Sequence, residues 1–104
     1  MNTQLREQVA LLHSQFCNAL SDQTRMLIVY ELADHPCNVT TLVEHLGIAQ
    51  PVISRHLKIL REQGIIASER HGRTICYHLT DERIIQALDL FRAIIADQLA
   101  AQAR

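Results

Sequence analysis

The stretch Leu46–Gly64, LGIAQPVISRHLKILREQG, decides how this chain is read. Gly47 closes a short apolar-periodic segment, and glycine ends a helix in the left-handed conformation without steric cost. Gln50-Pro51 opens a second periodic run, where proline suits a first helical turn because the N–H it lacks has no partner there. Apolar residues then fall at Ile53, Leu57 and Leu60, with Gly64 as the stop. This i, i+4, i+7 spacing gives one buried stripe. Ser54, Arg55, Lys58 and Glu62 lie opposite it, with Arg61 at the edge. A short helix, a tight turn and a second helix with a polar, cationic outer face make a helix-turn-helix pattern, whose second helix enters a DNA groove. Spacing alone equally describes two packed helices with solvated charges, so the surrounding chain has to decide.

Charge is the first test. The 104 residues carry a net charge of −1, which argues against a nucleic-acid partner until it is mapped. Between Gln50 and Arg73, five basic residues (Arg55, Lys58, Arg61, Arg70, Arg73) face two acidic ones (Glu62, Glu69), a local excess of +3. The rest of the chain holds five basic and nine acidic residues, or −4. Positive charge is concentrated where a phosphate backbone would meet it. Apolar residues make up 48% of the chain, enough for one modest core and too many for disorder. No apolar run approaches the ~18 residues of a membrane span, and MNTQLREQ lacks the pattern of a signal peptide, so a cytoplasmic protein without a membrane partner is expected. Three cysteines at irregular spacing suit reduced thiols better than a disulfide framework.

Outward from the central stretch, the order of elements follows. Residues from about Thr3 to Leu20 predict a helix with a stripe of Leu5, Val9, Leu12, Phe16 and Leu20, widened by Leu11, Cys17 and Ala19. Ser21-Asp22 caps a second helix to about Ala33, which buries some of Met26, Leu27, Val29, Tyr30 and Leu32 and ends at Asp34-His35-Pro36. Asn38, Thr40 and Thr41 are alternative caps for a third helix, with Glu44 able to close a capping box on Thr41. Beyond Gly64 the period changes to two: Ala67–Arg70 and Thr74–Leu79 flank His71-Gly72-Arg73, a β-hairpin with a cationic tip. Thr80-Asp81 caps a last helix to about Gln102, apolar over more than half its circumference through Ile84, Leu88, Phe91, Ile95 and Leu99 and their neighbours. Both terminal helices expose more apolar surface than one copy can cover, which predicts a two-fold dimer; the alternative is a monomer whose terminal helices cover each other. The expected fold is mainly α with a small β-hairpin: one winged helix-turn-helix DNA-binding domain over residues 1–104. Its dimerisation helices are 1–20 and 81–104, its helix-turn-helix 39–63 and its β wing 66–79.

The strings ALSDQTRMLIVYEL, LVEHLGIAQPVISRHLKILREQGII and ERHGRTICYHL resemble the ArsR/SmtB family of bacterial winged-helix repressors, most specifically in Q-P-x-x-S-x-H-L at Gln50 to Leu57. The resemblance implies a homodimer that holds a palindromic double-stranded operator until an effector releases it. It assigns recognition-helix contacts to Gln50, Pro51, Ser54, Arg55 and His56. Side-chain chemistry agrees for Gln with adenine and Arg with guanine. His56 borders the apolar stripe, and a structural histidine is the other reading. Lys58 and Arg61 suit phosphates, and Arg70, His71 and Arg73 bring the wing to backbone or minor groove.

The resemblance fails where family members hold metals. Cys-x-Cys at the start of the third helix is replaced by Asn38 and Thr40, and Asp-x-His at the start of the last helix by Asp81 and Arg83. No cofactor is called for, and no metal or metalloid is expected at those positions. Nothing in the spacing of His13, His35 and His45 demands a shared metal. Cys37, just before a helix N-terminus that lowers a thiol's pKa, is the candidate for a redox or arsenite sensor; Cys17 is expected in the core and Cys76 in a structural role. The effector stays open. An enzyme is excluded by the lack of a nucleophile–base–orienter set, a phosphate-binding glycine loop or paired loop carboxylates. A winged helix serving only protein contacts is the remaining rival, and the cationic wing speaks against it.

Overall fold

The computed structural model describes residues 1–103; Arg104, the last residue of the expected C-terminal dimerisation segment, lies outside them. The elements are α1 (Thr3–Leu11), a π-helical continuation (Leu12–Cys17), α2 (Gln23–Asp34), α3 (Val39–Leu46), α4 (Gln50–Glu62), β1 (Ile66–His71), β2 (Thr74–Leu79) and α5 (Arg83–Gln102). This is a winged helix-turn-helix with a long helix at each end.

Local chemistry explains most boundaries. Asn38, not Thr41, caps α3: its side-chain oxygen accepts from the Thr41 N–H at 2.9 Å. Gly47 ends that helix at φ +66, its N–H donating to the Val43 carbonyl at 2.9 Å. At the end of α4, the Gly64 N–H reaches the Arg61 carbonyl and the Ile65 N–H the Leu60 carbonyl, both at 3.0 Å. With Gly64 at φ +73, this pair of bonds is a Schellman motif, and its usual apolar contact is supplied by Leu60 and Ile65, both fully buried. Gln15 seals the corner from α1's π-helical continuation by donating to the Gln63 carbonyl at 2.8 Å.

The core lies between α2, α3, α4 and the base of the wing. Ile28, Val29 and Leu32 of α2 meet Leu42 of α3, Ile53, Leu57 and Leu60 of α4, and Ile65 and Ile66 beyond it. The α4 stripe is the expected one. On α2 the face is rotated: Ile28 is buried, while Met26 and Leu27 are exposed. The hairpin pairs antiparallel from Ile66↔Leu79 to His71↔Thr74, so its loop is only Gly72-Arg73 and His71 belongs to the strand. Gly72, at φ +64, takes the first central position of the turn, the placing of glycine in a type II′ hairpin. Two anchors fix the wing. Thr80 donates its hydroxyl to the Gly64 and Ile65 carbonyls, at 2.8 and 3.0 Å. Cys37, between α2 and α3, exchanges both backbone hydrogen bonds with Tyr77 of β2.

The terminal helices stand apart from this core. The first helix is not one continuous stripe: its π-helical turn leaves Leu5, Val9, Leu11 and Leu12 exposed, while Phe16 and Leu20 pack on the core. Cys17, expected inside, is exposed, because the wider turn carries it off the core face. On α5 only Ile84 is buried, and Leu90, Phe91, Ile94, Ile95 and Leu99 are each more than half exposed. The two helices therefore do not cover each other. The radius of gyration is 15.9 Å, against about 13 Å for a compact chain of this length. No helix among the described residues is long and apolar enough to cross a membrane.

Candidate nucleic-acid interface

Burying Ile53, Leu57 and Leu60 turns the opposite side of α4 outward. Gln50, Pro51, Arg55, Lys58 and Arg61 are exposed there and Ser54 is half-buried. Gln50 donates its amide to the Ser54 hydroxyl at 2.9 Å, so two polar groups one turn apart are held together. Lys58 lies 4.0 Å from Glu62, a loose surface pair that leaves the ammonium free for another anion. The wing stands beside this helix. An open groove is lined by Asn38 and Thr40 from the start of α3, Gln50 and Ser54 from α4, and Arg73 and Thr74 from the wing. Arg70 and His71 are exposed on β1, with the His71 ring 3.5 Å from Glu69. The local positive charge is thus on the outward side of α4 and at the tip of the wing.

His56 does not share this surface. Only 7% exposed, it faces inward beside Leu57. Its Nδ1 lies 3.1 Å from an Arg25 guanidinium nitrogen, and its Nε2 3.9 Å from Asp22. Because a guanidinium only donates, Nδ1 accepts and the ring proton sits on Nε2, toward the carboxylate. His56 is therefore removed from the DNA-contact set and takes the structural role. Arg25, which sequence reasoning passed over, organises this junction. It also donates to the Ala19 carbonyl at 2.6 Å and the Asn18 carbonyl at 3.3 Å, tying the end of the first helix to α4. Asp22 caps α2 through the Arg25 N–H at 3.1 Å. That bond first, and the Arg25 guanidinium beside it, hold its carboxyl below the usual range against a desolvation cost. The spacing of Asp22 and Arg25 reads as an ordinary cap in sequence; only the fold brings His56 to them.

Cys37 is also corrected. Burial, followed by the nearby Glu31 charge and Cys76, pushes its thiol up rather than down. The helix-end effect is outweighed because the side chain is 7% exposed and the backbone is paired to β2. Cys37 is therefore expected to react with iodoacetamide at neutral pH only at a rate set by local opening. Peptide mass spectrometry after brief labelling should find it unmodified in native protein and modified in urea. Prompt native labelling would restore it as a sensor candidate. Cys76 is half-buried.

At the positions where the resemblance would place metal ligands, other bonds are made. Asn38 is occupied as the α3 cap. Arg83 forks onto Asp81 with distances of 2.7 to 3.2 Å, and this contact first of all lowers the Asp81 carboxyl to about 2. Asp81 also accepts from the Arg83 N–H at 2.9 Å, so the expected cap is used, one residue ahead of Glu82.

The family model for bacterial regulatory proteins of the arsR family matches residues 22–68. The HTH-type transcriptional regulator NmtR of Mycobacterium tuberculosis is 35% identical over 85 residues, covering 82% of this chain and 71% of that protein. A probable mercury resistance operon repressor of Streptomyces lividans is 33% identical over 88 residues, 85% of this chain and 70% of its own. The crystal structure of the transcriptional repressor BigR from Xylella fastidiosa superposes with a TM-score of 0.77 at 30% identity, covering 90% of this chain and 96% of that one. The likeness to these proteins spans the capped α2, the helix-turn-helix and the wing: this chain belongs to the arsR family of bacterial regulatory proteins.

Proposed function

We propose that this protein is a homodimeric transcriptional repressor whose two α4 helices read successive major grooves of a palindromic operator, and which leaves when an effector binds. The observation that carries it is the outward face of α4 beside the wing: a contiguous set of Gln50, Ser54, Arg55, Lys58 and Arg61, flanked by Arg70 and Arg73, on a helix anchored from behind by its apolar stripe. Gln50, Ser54 and Arg55 address base edges; Lys58, Arg61, Arg70, His71 and Arg73 address phosphates; Pro51 sets the helix start against the groove. The exposed apolar faces of α1 and α5 supply the dimer contact. A two-fold axis then sets half-sites about 34–36 Å apart.

Titration of labelled operator with the parent and with Ser54→Ala/Arg55→Ala tests the reading. Loss of a good base contact in each half-site lowers affinity by about 1–3 kcal/mol per contact, so a fall of roughly 10-fold or more is expected. Between 50 and 200 mM salt the parent should weaken by on the order of 10³-fold, since both protomers present their basic residues. Equal affinity of parent and variant, with no salt dependence, would reduce the protein to a winged helix serving other proteins.

A further inference from the structure

We propose that Glu31, His35 and His45 form a binding site for a divalent transition-metal ion of borderline softness, such as Zn²⁺ or Co²⁺, within one protomer. Glu31 lies in the last turn of α2, and His35, the helix's C-cap in extended backbone, donates its N–H to the Glu31 carbonyl at 3.1 Å. His45 comes from the last turn of α3 and meets them across the helix-turn-helix junction. One donor atom from each of the three lies within 4.8 Å of the other two. Glu31 Oε2 and His45 Nδ1 are already 3.0 Å apart. Two ligands about 2.0–2.1 Å from a shared ion stand about 3 Å from one another, so this pair already has the spacing of neighbouring ligands.

Ordinary ion pairs account for Glu31 with His45 and for His35 with Asp34, but not for why His35 joins the other two. Its ring stands edge-on to the His45 ring, with centroids 5.6 Å apart. Its Nδ1 is 3.2 Å from Asp34 Oδ2. A carboxylate on Nδ1 fixes the proton there and leaves Nε2 as the free lone pair, the outer-sphere arrangement that metal-ligating histidines use. Two imidazoles and one carboxylate form a three-ligand set suited to zinc-like ions, with the remaining position left to water; calcium and magnesium prefer oxygen alone. The His35 and His45 side chains are 42% and 44% exposed, so they can turn inward to close the set and an ion can reach it. The site differs from the positions of Asn38, Thr40, Asp81 and Arg83 in residues and in place. An ion there would cross-link the end of α2 to the end of α3, the helix that leads through Gly47 into α4.

Cobalt titration of the full, reduced, DNA-free chain tests the site without reference to operator binding. One Co²⁺ per protomer should saturate, with visible ligand-field bands and no thiolate charge-transfer band in the near ultraviolet. The melting temperature should rise with added Co²⁺. His45→Asn and His35→Gln should each weaken binding by roughly 10–100-fold or more and remove the melting shift, while melting like the parent without metal. A parent that takes up no stoichiometric Co²⁺, a thiolate band, or variants that bind as the parent does would each overturn the assignment. If one substitution disturbs the fold, Glu31→Gln reads the same site from α2 and decides in its place.

Discussion

Ile53→Ala is expected to lower the unfolding free energy by roughly 2–5 kcal/mol, the range for truncating a buried aliphatic side chain to alanine. The melting midpoint should fall by about 10–20 °C, measured by circular dichroism at fixed protein concentration. Ile53 is fully buried on the inner side of α4, between core residues of α2 and α3 and the start of the wing. The same helix carries Ser54 and Arg55 on its other side, so the variant removes an anchor without touching a group that would meet DNA. Operator affinity, measured well below the new midpoint, should fall because the helix is less firmly placed. An unchanged melting curve would mean that α4 is held by something other than its apolar stripe. Leu57 and Leu60 share this function, and deletions at neighbouring core positions should not add simply.

Phe91→Glu with Ile95→Glu should convert the proposed dimer to monomers at micromolar concentration. Sedimentation velocity reads the result directly. Phe91 and Ile95 lie one turn apart on α5 and are 66% and 53% exposed in the single protomer, so neither substitution empties its core. A dimer contact over this face would have to desolvate four carboxylates, two per copy, and the basic residues of α5 are only Arg92 and Arg83, the latter forked onto Asp81. Operator affinity should then drop by roughly 10²–10⁴-fold, because the second half-site no longer binds at high effective concentration. A dimer that survives both carboxylates would place the two-fold axis elsewhere.

What was legible in the sequence was what is local. The caps at Asp22 and Asn38, the glycine stops at 47 and 64, the α4 stripe and the two-residue period of the wing each follow from neighbours within about five positions. The junction of Asp22, Arg25 and His56 was not legible, since residues 31 apart meet only when α2 packs on α4. Burial of Ile28 in place of Met26 and Leu27 was hidden because nearly every residue from Met26 to Tyr30 is apolar, and such a run does not say which way it faces. Cys37 was misjudged for the same reason. A helix end is visible in sequence, but the strand that buries the thiol beside it comes 40 residues later. The Glu31–His35–His45 cluster joins the end of α2 to α3 across a separation that carries no motif. Which side of α4 faces outward could be drawn residue by residue, with the exception of His56, whose position on the border of the stripe gave no direction.

The π-helical turn at Leu12–Cys17 has a consequence for how chains of this kind change their length. A residue removed from an ordinary helix turns everything before it by about 100° and breaks the packing on one side. Here the helix already holds about one residue more than an α-helical turn needs, so a one-codon deletion between positions 12 and 17 would relax it to regular geometry. Phe16 and Leu20 would keep their seats in the core, and Leu5 and Val9 would keep their azimuth relative to them. In the proposed dimer such a change would leave the exposed face of α1 where it is, whereas the same deletion within Thr3–Leu11 would turn the residues before it away from the partner. The turn is a place where the chain can lose a residue without losing its register.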